Sequence, residues 1–211
     1  MSQAKPRKRD TYHVGNLAPQ LLAAARQLLV EVGPSKLSLR AVSERVGVSS
    51  TAAYHHYANR SELLGELAAQ GFRELGAALS RRAASASAAQ KMRDGVLAYF
   101  AFARANPALY QLMFGPELTP EDLIPALLHA RTEAFGELHR IIAEVLAKPV
   151  DSTEVRSAAL ASWSYTHGLA ALVIHGVLPL PTGASDERFV EKALQGLSRL
   201  LDAGLRDVAA G

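Results

Sequence analysis

Cysteine is absent from the 211 residues. That excludes a disulfide framework, thiolate chemistry and any Cys-ligated metal, and it fits a reducing cytoplasm. The N-terminus carries basic residues with no apolar run behind them, so it does not read as a secretory signal. The longest apolar stretch, Leu169 to Leu180, is interrupted by His175, Gly176 and Pro179 and is too short to cross a bilayer. A soluble, cytoplasmic protein without a membrane partner is expected. No segment alternates apolar and polar residues as a strand would, and no internal repeat is present. Motifs such as HExxH, CxxC, G-x-S-x-G, G-x-x-x-x-G-K-[ST] and G-x-G-x-x-G are all missing. His167 and His175 share a helical face, but two turns separate them, about 12 Å, too far for one ion. His55 and His56 are adjacent and diverge. No enzyme activity, cofactor or metal is expected.

What the chain does contain is apolar material and an uneven charge. Hydrophobic residues make up 49% of the sequence, enough for one domain or for a small domain joined to a larger one. Residues 1–60 hold nine Lys/Arg against three Asp/Glu, whereas the remainder holds fourteen against seventeen. A basic N-terminal quarter on a mildly acidic body is the footprint of a nucleic-acid-binding unit attached to a larger module. Much of the excess lies in the arm Lys5, Arg7, Lys8 and Arg9. That run is either a solvated tail or a segment that orders on phosphate, and the two are compatible.

The periodicity predicts an all-α chain of about nine helices. Asn16 is placed to cap the first, with Leu21, Leu22, Ala25, Leu28, Leu29 and Val32 as its buried stripe and Gly33-Pro34 as its stop. Asn59 and Glu62 form an N-x-x-E pattern opening a fourth helix that runs to about Arg82. A low-complexity stretch, Ala83 to Ala89, reads as a loop. A fifth helix halts at Asn106-Pro107, and a short helical segment spans Leu109 to Phe114. Longer helices follow over about Glu121 to Ala147, from Asp151 and Glu154 to about Val177, and from about Ser185 to Asp207.

Residues Leu39 to Tyr57, L-R-A-V-S-E-R-V-G-V-S-S-T-A-A-Y-H-H-Y, parse as two short helices around a tight turn. Val42 and Val46 share a face, with Ala41 beside them. Gly47 sits where the chain must turn, because a residue without Cβ enters positive φ at little cost. Val48 fills the corner, and Ser49 or Ser50 can cap the second helix. That helix is expected to expose Ser50, Thr51, Ala52, His55 and His56 and to turn Ala53 and Tyr57 inward. A short exposed helix of small polar residues, preceded by an Arg-bearing one, suits entry into a DNA major groove. The alternative is an ordinary helical hairpin.

With these residues in view, the chain resembles the TetR family of bacterial transcriptional regulators over about Asn16 to Leu67. The motif runs from V-E-V-G at the end of the first helix through L-S-L-R-A-V-S-E-R-V-G-V-S-S-T-A-A-Y-H-H-Y-A-N-R-S-E-L-L. Further on, Trp163, His167 and Gly168 look like the Trp-His-Gly pattern of one C-terminal subfamily. The segment Y-F-A-F-A-R-A-N-P-A-L-Y-Q-L-M-F-G is similar to what precedes that pattern. Two departures are modest: Ala53 where a larger aliphatic is usual, and Ser43 where alanine is common.

The resemblance implies a flexible arm (1–15), a helix-turn-helix domain (16–60) and a helical ligand-binding and dimerisation domain (61–211). It implies a homodimer, most simply a repressor, that binds a palindromic double-stranded operator and is released by a small, partly apolar effector. Arg40 matches the position that can reach the groove, and its fork fits guanine O6 and N7. A phosphate contact or an ion pair with Glu44 are its alternatives. Ser50, Thr51 and Ala52 would open the recognition helix against base edges and thymine methyls, and Ser49 beside them is counted with the DNA-binding residues. Tyr54, His55 and His56 suit phosphates. Ser38 and Arg60, at helix N-termini, suit phosphates as well.

For the effector, Trp163, His167, Ala170 and Ile174 fall on one helical face, with Gly168 and Ala171 permitting close helix approach. Phe100, Tyr110, Met113 and Phe114 are expected opposite. At this spacing plain core is the competing reading. The dimer surface is expected on the last two helices. An all-α enzyme, or a ligand-sequestering scaffold with a vestigial DNA head, are the rival functional classes.

Overall fold

The computed structural model describes residues 17–81, 86–180, 183 and 185–209, with backbone alone over 204–209. Asn16 and the arm residues Lys5, Arg7, Lys8 and Arg9 lie outside the described residues. Nine α-helices are present among them and no strand: α1 (Leu17–Val32), α2 (Leu39–Val46), α3 (Ser50–Tyr54), α4 (Arg60–Ser80), α5 (Ala88–Ala105), α6 (Pro107–Phe114), α7 (Pro125–Leu146), α8 (Thr153–Ile174) and α9 (Asp186–Ala209). No described helix is long and apolar enough to cross a membrane.

Caps set most boundaries. Ser38, Ser49, Asn59, Ser87 and Ser152 each accept a hydrogen bond from a backbone N–H in the first turn of the helix they precede, which meets one of the orphan donors there. Ser152 therefore opens α8, not the neighbouring Asp151 expected from the sequence. Glu62 Oε2 accepts from Ala58 N while Asn59 Oδ1 accepts from Glu62 N, a variant of the capping box. The helix expected from Glu121 begins four residues later. Pro125 takes its first position and holds Ile124 extended at ψ 154°, as a residue before proline must be. Before it, Pro120–Asp122 form a single 3-10 turn capped by Thr119.

α4 is the central element. Ten of its residues are buried, and it packs along α7 while also meeting α1, α5 and α6. Small residues allow the close crossings. A Cβ on Gly71 would stand 2.5 Å from Met113 Sδ and 2.9 Å from Leu109 Cδ2, both on α6. The core runs from α1 through α9, with Leu21, Leu29, Leu63, Leu67, Phe72 and Phe100 at or near zero exposure. Val32, expected in the α1 stripe, is exposed instead, one residue before Gly33 ends the helix at φ 76°.

Candidate functional site

α1, α2 and α3 form a compact N-terminal head. Gly47 adopts φ 79° and ψ 30°, and its N–H and that of Val48 both reach Ser43 O, at 2.9 and 3.0 Å. That satisfies the last carbonyls of α2 and turns the chain into α3. Ala53 and Tyr57 are buried, and the Tyr57 hydroxyl donates to Ala18 O at 3.2 Å, pinning α3 to α1. Ser43 is fully buried and donates to Leu39 O at 2.6 Å, so this departure from the usual alanine leaves no unmet polar group. The opposite face of α3 shows Thr51, Tyr54, His55 and His56 to solvent, with Ser50 and Ala52 half-buried.

Arg40 stands out from α2 with its side chain 82% exposed and pairs with Glu44 at 3.0 Å. A pair this exposed is weak, about 0–1 kcal/mol, and readily exchanged for another partner. Arg45 is committed to Glu31 on α1 at 2.6 Å. The Glu31 carboxylate, hydrogen-bonded to Arg45, is held below the ordinary range.

Arg60 does not stand free for an anion as expected. Its Nε donates to Leu37 O at 2.8 Å, and Nη2 donates to Pro34 O at 2.6 Å and Ser35 O at 3.3 Å. It fastens the α1–α2 turn to the start of α4. A second fastening joins head and body: Arg26 of α1 donates to both Glu74 oxygens on α4, at 3.2 and 3.0 Å, and to Asn106 Oδ1 at 2.8 Å.

Behind the head, α5, α6, α7 and α8 enclose an aromatic cluster with a polar seam. Trp163 Nε1 donates to Tyr99 Oη at 3.3 Å, Tyr99 Oη lies 3.2 Å from Tyr110 Oη, and Tyr110 Oη lies 2.6 Å from His167 Nδ1. An indole N–H only donates, so Tyr99 accepts there. Tyr99 Oη also lies 3.0 Å from His167 Nδ1, so both hydroxyls reach the same ring nitrogen. Burial pushes the His167 pKa down, with His175 adding to the effect. Burial likewise raises both tyrosine hydroxyls, that of Tyr110 well above the ordinary phenol value.

Two cavities flank this seam. The first is small and apolar, about 30 Å³, beside Tyr99, Trp163, Phe72, Phe135 and Thr166. It has room for roughly one water molecule. The second is an open cleft of about 410 Å³ lined by Tyr110, Phe114, His167, His175, Glu117 and, from the head, Pro34.

The helix-turn-helix segment matches the family model described as bacterial regulatory proteins, tetR family, over residues 21–67, and residues 92–197 match the tetracyclin repressor-like C-terminal domain. The chain belongs to the TetR family. This TetR-family chain is also 30% identical over 100 residues to an HTH-type transcriptional regulator of Mycobacterium tuberculosis, a stretch covering 46% of the chain and 42% of the relative. The match thus spans less than half the length of that curated relative. A solved structure of a protein of unknown function from Rhodococcus sp. RHA1 superposes with a TM-score of 0.75 at 32% identity, covering 90% of this chain and 97% of that one. The TetR family transcriptional regulator PfmR from Thermus thermophilus shares the fold at a TM-score of 0.61 and 22% identity, with 84% and 96% covered.

Within this TetR fold the expected effector residues divide. Tyr110, Phe114 and His167 line the cleft and Trp163 the smaller cavity. Phe100, Met113 and Ala170 are buried and line neither, and Ile174 borders a separate depression near Pro179. No helix crosses close at Gly168, which has open space around its Cβ position. Sequence reasoning missed Tyr99, the hub of the hydrogen-bonded seam, and Glu117. The spacing of Tyr99 from Trp163, 64 positions, offered no local signal.

Proposed function

We propose that the chain is a DNA-binding transcriptional regulator that acts as a homodimer, recognises a palindromic operator and responds to a small, partly apolar effector. Residues 16–60 would form the DNA-binding unit and 61–211 the effector and dimerisation unit, with the basic arm 1–15 adding phosphate contacts. The observation that carries the reading is the Gly47 corner, which presents the polar face of α3 with exposed Arg40 beside it. In that arrangement Arg40, Ser50, Thr51 and Ala52 meet base edges, while Ser38, Ser49, Tyr54, His55 and His56 set register on the backbone. Arg60 acts from behind, by holding the α1–α2 turn.

The dimer is assigned to α8 and α9. Leu160 and Leu172 on α8 and Leu200 and Leu201 on α9 are exposed, Leu200 at 70%. Gly168 and Gly196 leave open space on the same two helices, which suits close approach by a second copy. Two heads would then sit about one DNA turn apart, roughly 34–36 Å. We retain the Trp-His-Gly subgroup as our reading of Trp163, His167 and Gly168.

Switching is assigned to α4. It carries Arg60 and Glu74, which grip the head, and Gly71, into which Met113 and Leu109 of α6 press. An effector that favours one position of α6 would bias the spacing of the heads through its differential affinity for two states. Repression is the simplest output, and a cytoplasmic location follows from it.

Selection of DNA from a random pool by the purified protein at about 0.15 M salt tests the core of this reading. Enrichment of one palindrome with two similar half-sites is expected. Weak, salt-sensitive binding without enrichment would overturn it. A monomer by light scattering at micromolar concentration would overturn the dimer.

A further inference from the structure

Among the described residues one buried side-chain oxygen has no hydrogen-bond partner: Glu117 Oε2. Glu117 follows α6 and lines the 410 Å³ cleft together with Pro34, Tyr110, Phe114, Pro116 and His167. The carboxylate folds back over the end of that helix, and Gly115 permits it. A Cβ at position 115 would lie 2.6 Å from Glu117 Oε2 and 2.3 Å from the carbonyl oxygen of Gln111. Two acceptors therefore converge at a helix C-terminus, where the macrodipole is already negative, and no donor answers Glu117 Oε2. Leaving an acceptor unmet in a buried place is costly, more so for a charged group. The arrangement is complementary to a cation that can donate hydrogen bonds.

The rest of the cleft narrows the class. Its walls are aromatic and apolar, and Tyr110 and Phe114 lie with ring centroids 4.9 Å apart. Its volume lies in the range of small-molecule sites. Burial disfavours a positive charge on His167, and His175 lines the cleft beside it. No three His, Asp or Glu side chains among the described residues converge as a metal site would require, so an organic cation fits better than a metal ion.

We propose that the cleft between α6, α8 and the α1–α2 turn binds an arylalkylamine, its ammonium on the Glu117 carboxylate and its ring against Tyr110 and Phe114. Pro34 gives the site its consequence. It belongs to the turn that Arg60 fastens, and its carbonyl is one of the fastened groups. An amine in the cleft touches head and body at once. It can bias their relative position without entering the smaller cavity by Trp163. This consequence, though not the binding itself, rests on the reading of the chain as an effector-responsive regulator.

Isothermal titration calorimetry on the full chain tests the site, with phenethylamine as probe and 2-phenylethanol and phenylacetate as neutral and anionic controls. The amine is expected to bind at least about tenfold tighter than the alcohol, a difference of about 1.4 kcal/mol, and the acid not measurably. Glu117→Gln keeps the shape and breaks no bond to Oε2, so its melting temperature should stay near that of the parent while amine affinity falls at least about tenfold. Ala171→Trp, which fills the cleft from α8, should abolish binding.

No amine binding by the parent chain, equal binding of amine and acid, or full affinity in Glu117→Gln would each overturn the site. Full affinity in Ala171→Trp would place the amine elsewhere and overturn it too. Operator binding with and without phenethylamine separates the two readings. Amine that binds but leaves operator affinity unchanged supports the site and counts against its role as an effector site. Operator release by some other compound, with no amine binding, keeps effector response and sinks this site.

Discussion

The head and the body solve opposite problems with their cores. The head closes around aliphatic residues, Leu21, Leu29, Leu37, Leu39, Val42 and Ala53, and its one buried serine bonds within its own helix. Inside it, polar groups are limited to single bonds to backbone, such as the Tyr57 hydroxyl on Ala18 O, and the side chains read as DNA contacts lie on its surface. The body reverses this arrangement: four aromatic side chains carry a hydrogen-bonded seam through its interior, with a small void on one side and an open cleft on the other. A core of the first kind has one good packing, because each apolar side chain fills space that nothing else fills. A core of the second kind can exchange a partner, since a hydroxyl can turn to a ligand. On the proposed reading, the head holds a shape and the body changes one.

Substitutions should separate the two behaviours, beginning with the largest. Leu29→Ala in the head removes a fully buried side chain and should cost about 2–5 kcal/mol in denaturant unfolding, with DNA binding lost alongside. Arg26→Ala cuts the tie between the halves, leaving Glu74 and Asn106 without this donor. A loss of about 1–3 kcal/mol is expected, and a cycle with Glu74→Ala should show non-additivity. Purely additive losses would mean that the bridge does not couple head to body. Ser49→Ala removes the cap of α3 and should cost about 1 kcal/mol, with weaker operator binding. Arg40→Ala should change stability by at most about 0.5 kcal/mol, yet relax preference at one base step in each half-site. Equal weakening on all DNA would assign Arg40 to phosphate.

The seam has a pH signature of its own. His167 has a pKa below the ordinary 6.5 in the folded chain because burial disfavours its charge. The unfolded chain therefore binds more protons as the medium is acidified. The contribution is fully present above about pH 6.5 and is lost as pH falls through the lowered folded value. Melting temperatures across pH 5 to about 7.5 should fall less steeply in His167→Gln than in the parent. Equal slopes would show that other groups set the acid sensitivity.

The two regions also differ in how far the sequence announces them. In the head every decisive feature is local. Ser38 and Ser49 cap helices three residues on, Gly47 turns the chain, and Tyr57 lies within one motif, so these positions are legible from neighbouring residues alone. Helix existence in the body is equally legible, but three starts are not: α6 opens at Pro107, two residues before the expected Leu109. Ser152 rather than Asp151 caps α8, and Pro125 delays α7 behind a 3-10 turn. The cavities are harder, because they depend on which of several aromatic residues face one another across four helices. Trp163, His167, Tyr110 and Phe114 are legible as one neighbourhood from periodicity and resemblance. Nothing in the sequence separates them from Phe100, Met113 and Ala170, which the packing consumes. Arg60 reads as a surface cation. Only the fold reveals three carbonyl oxygens around it.

Trp163 is the sole tryptophan of the chain, and it lies inside the seam, 5.7 Å from the His167 ring and 4.8 Å from Phe135 between centroids. Excited at the indole band, the protein therefore emits from a single position in the body, and none of that light originates in the head. Emission colour and intensity would follow the indole N–H bond to Tyr99 and the polarity beside it. The molecule carries its own optical gauge of events in the body, readable in solution without a label and with DNA present.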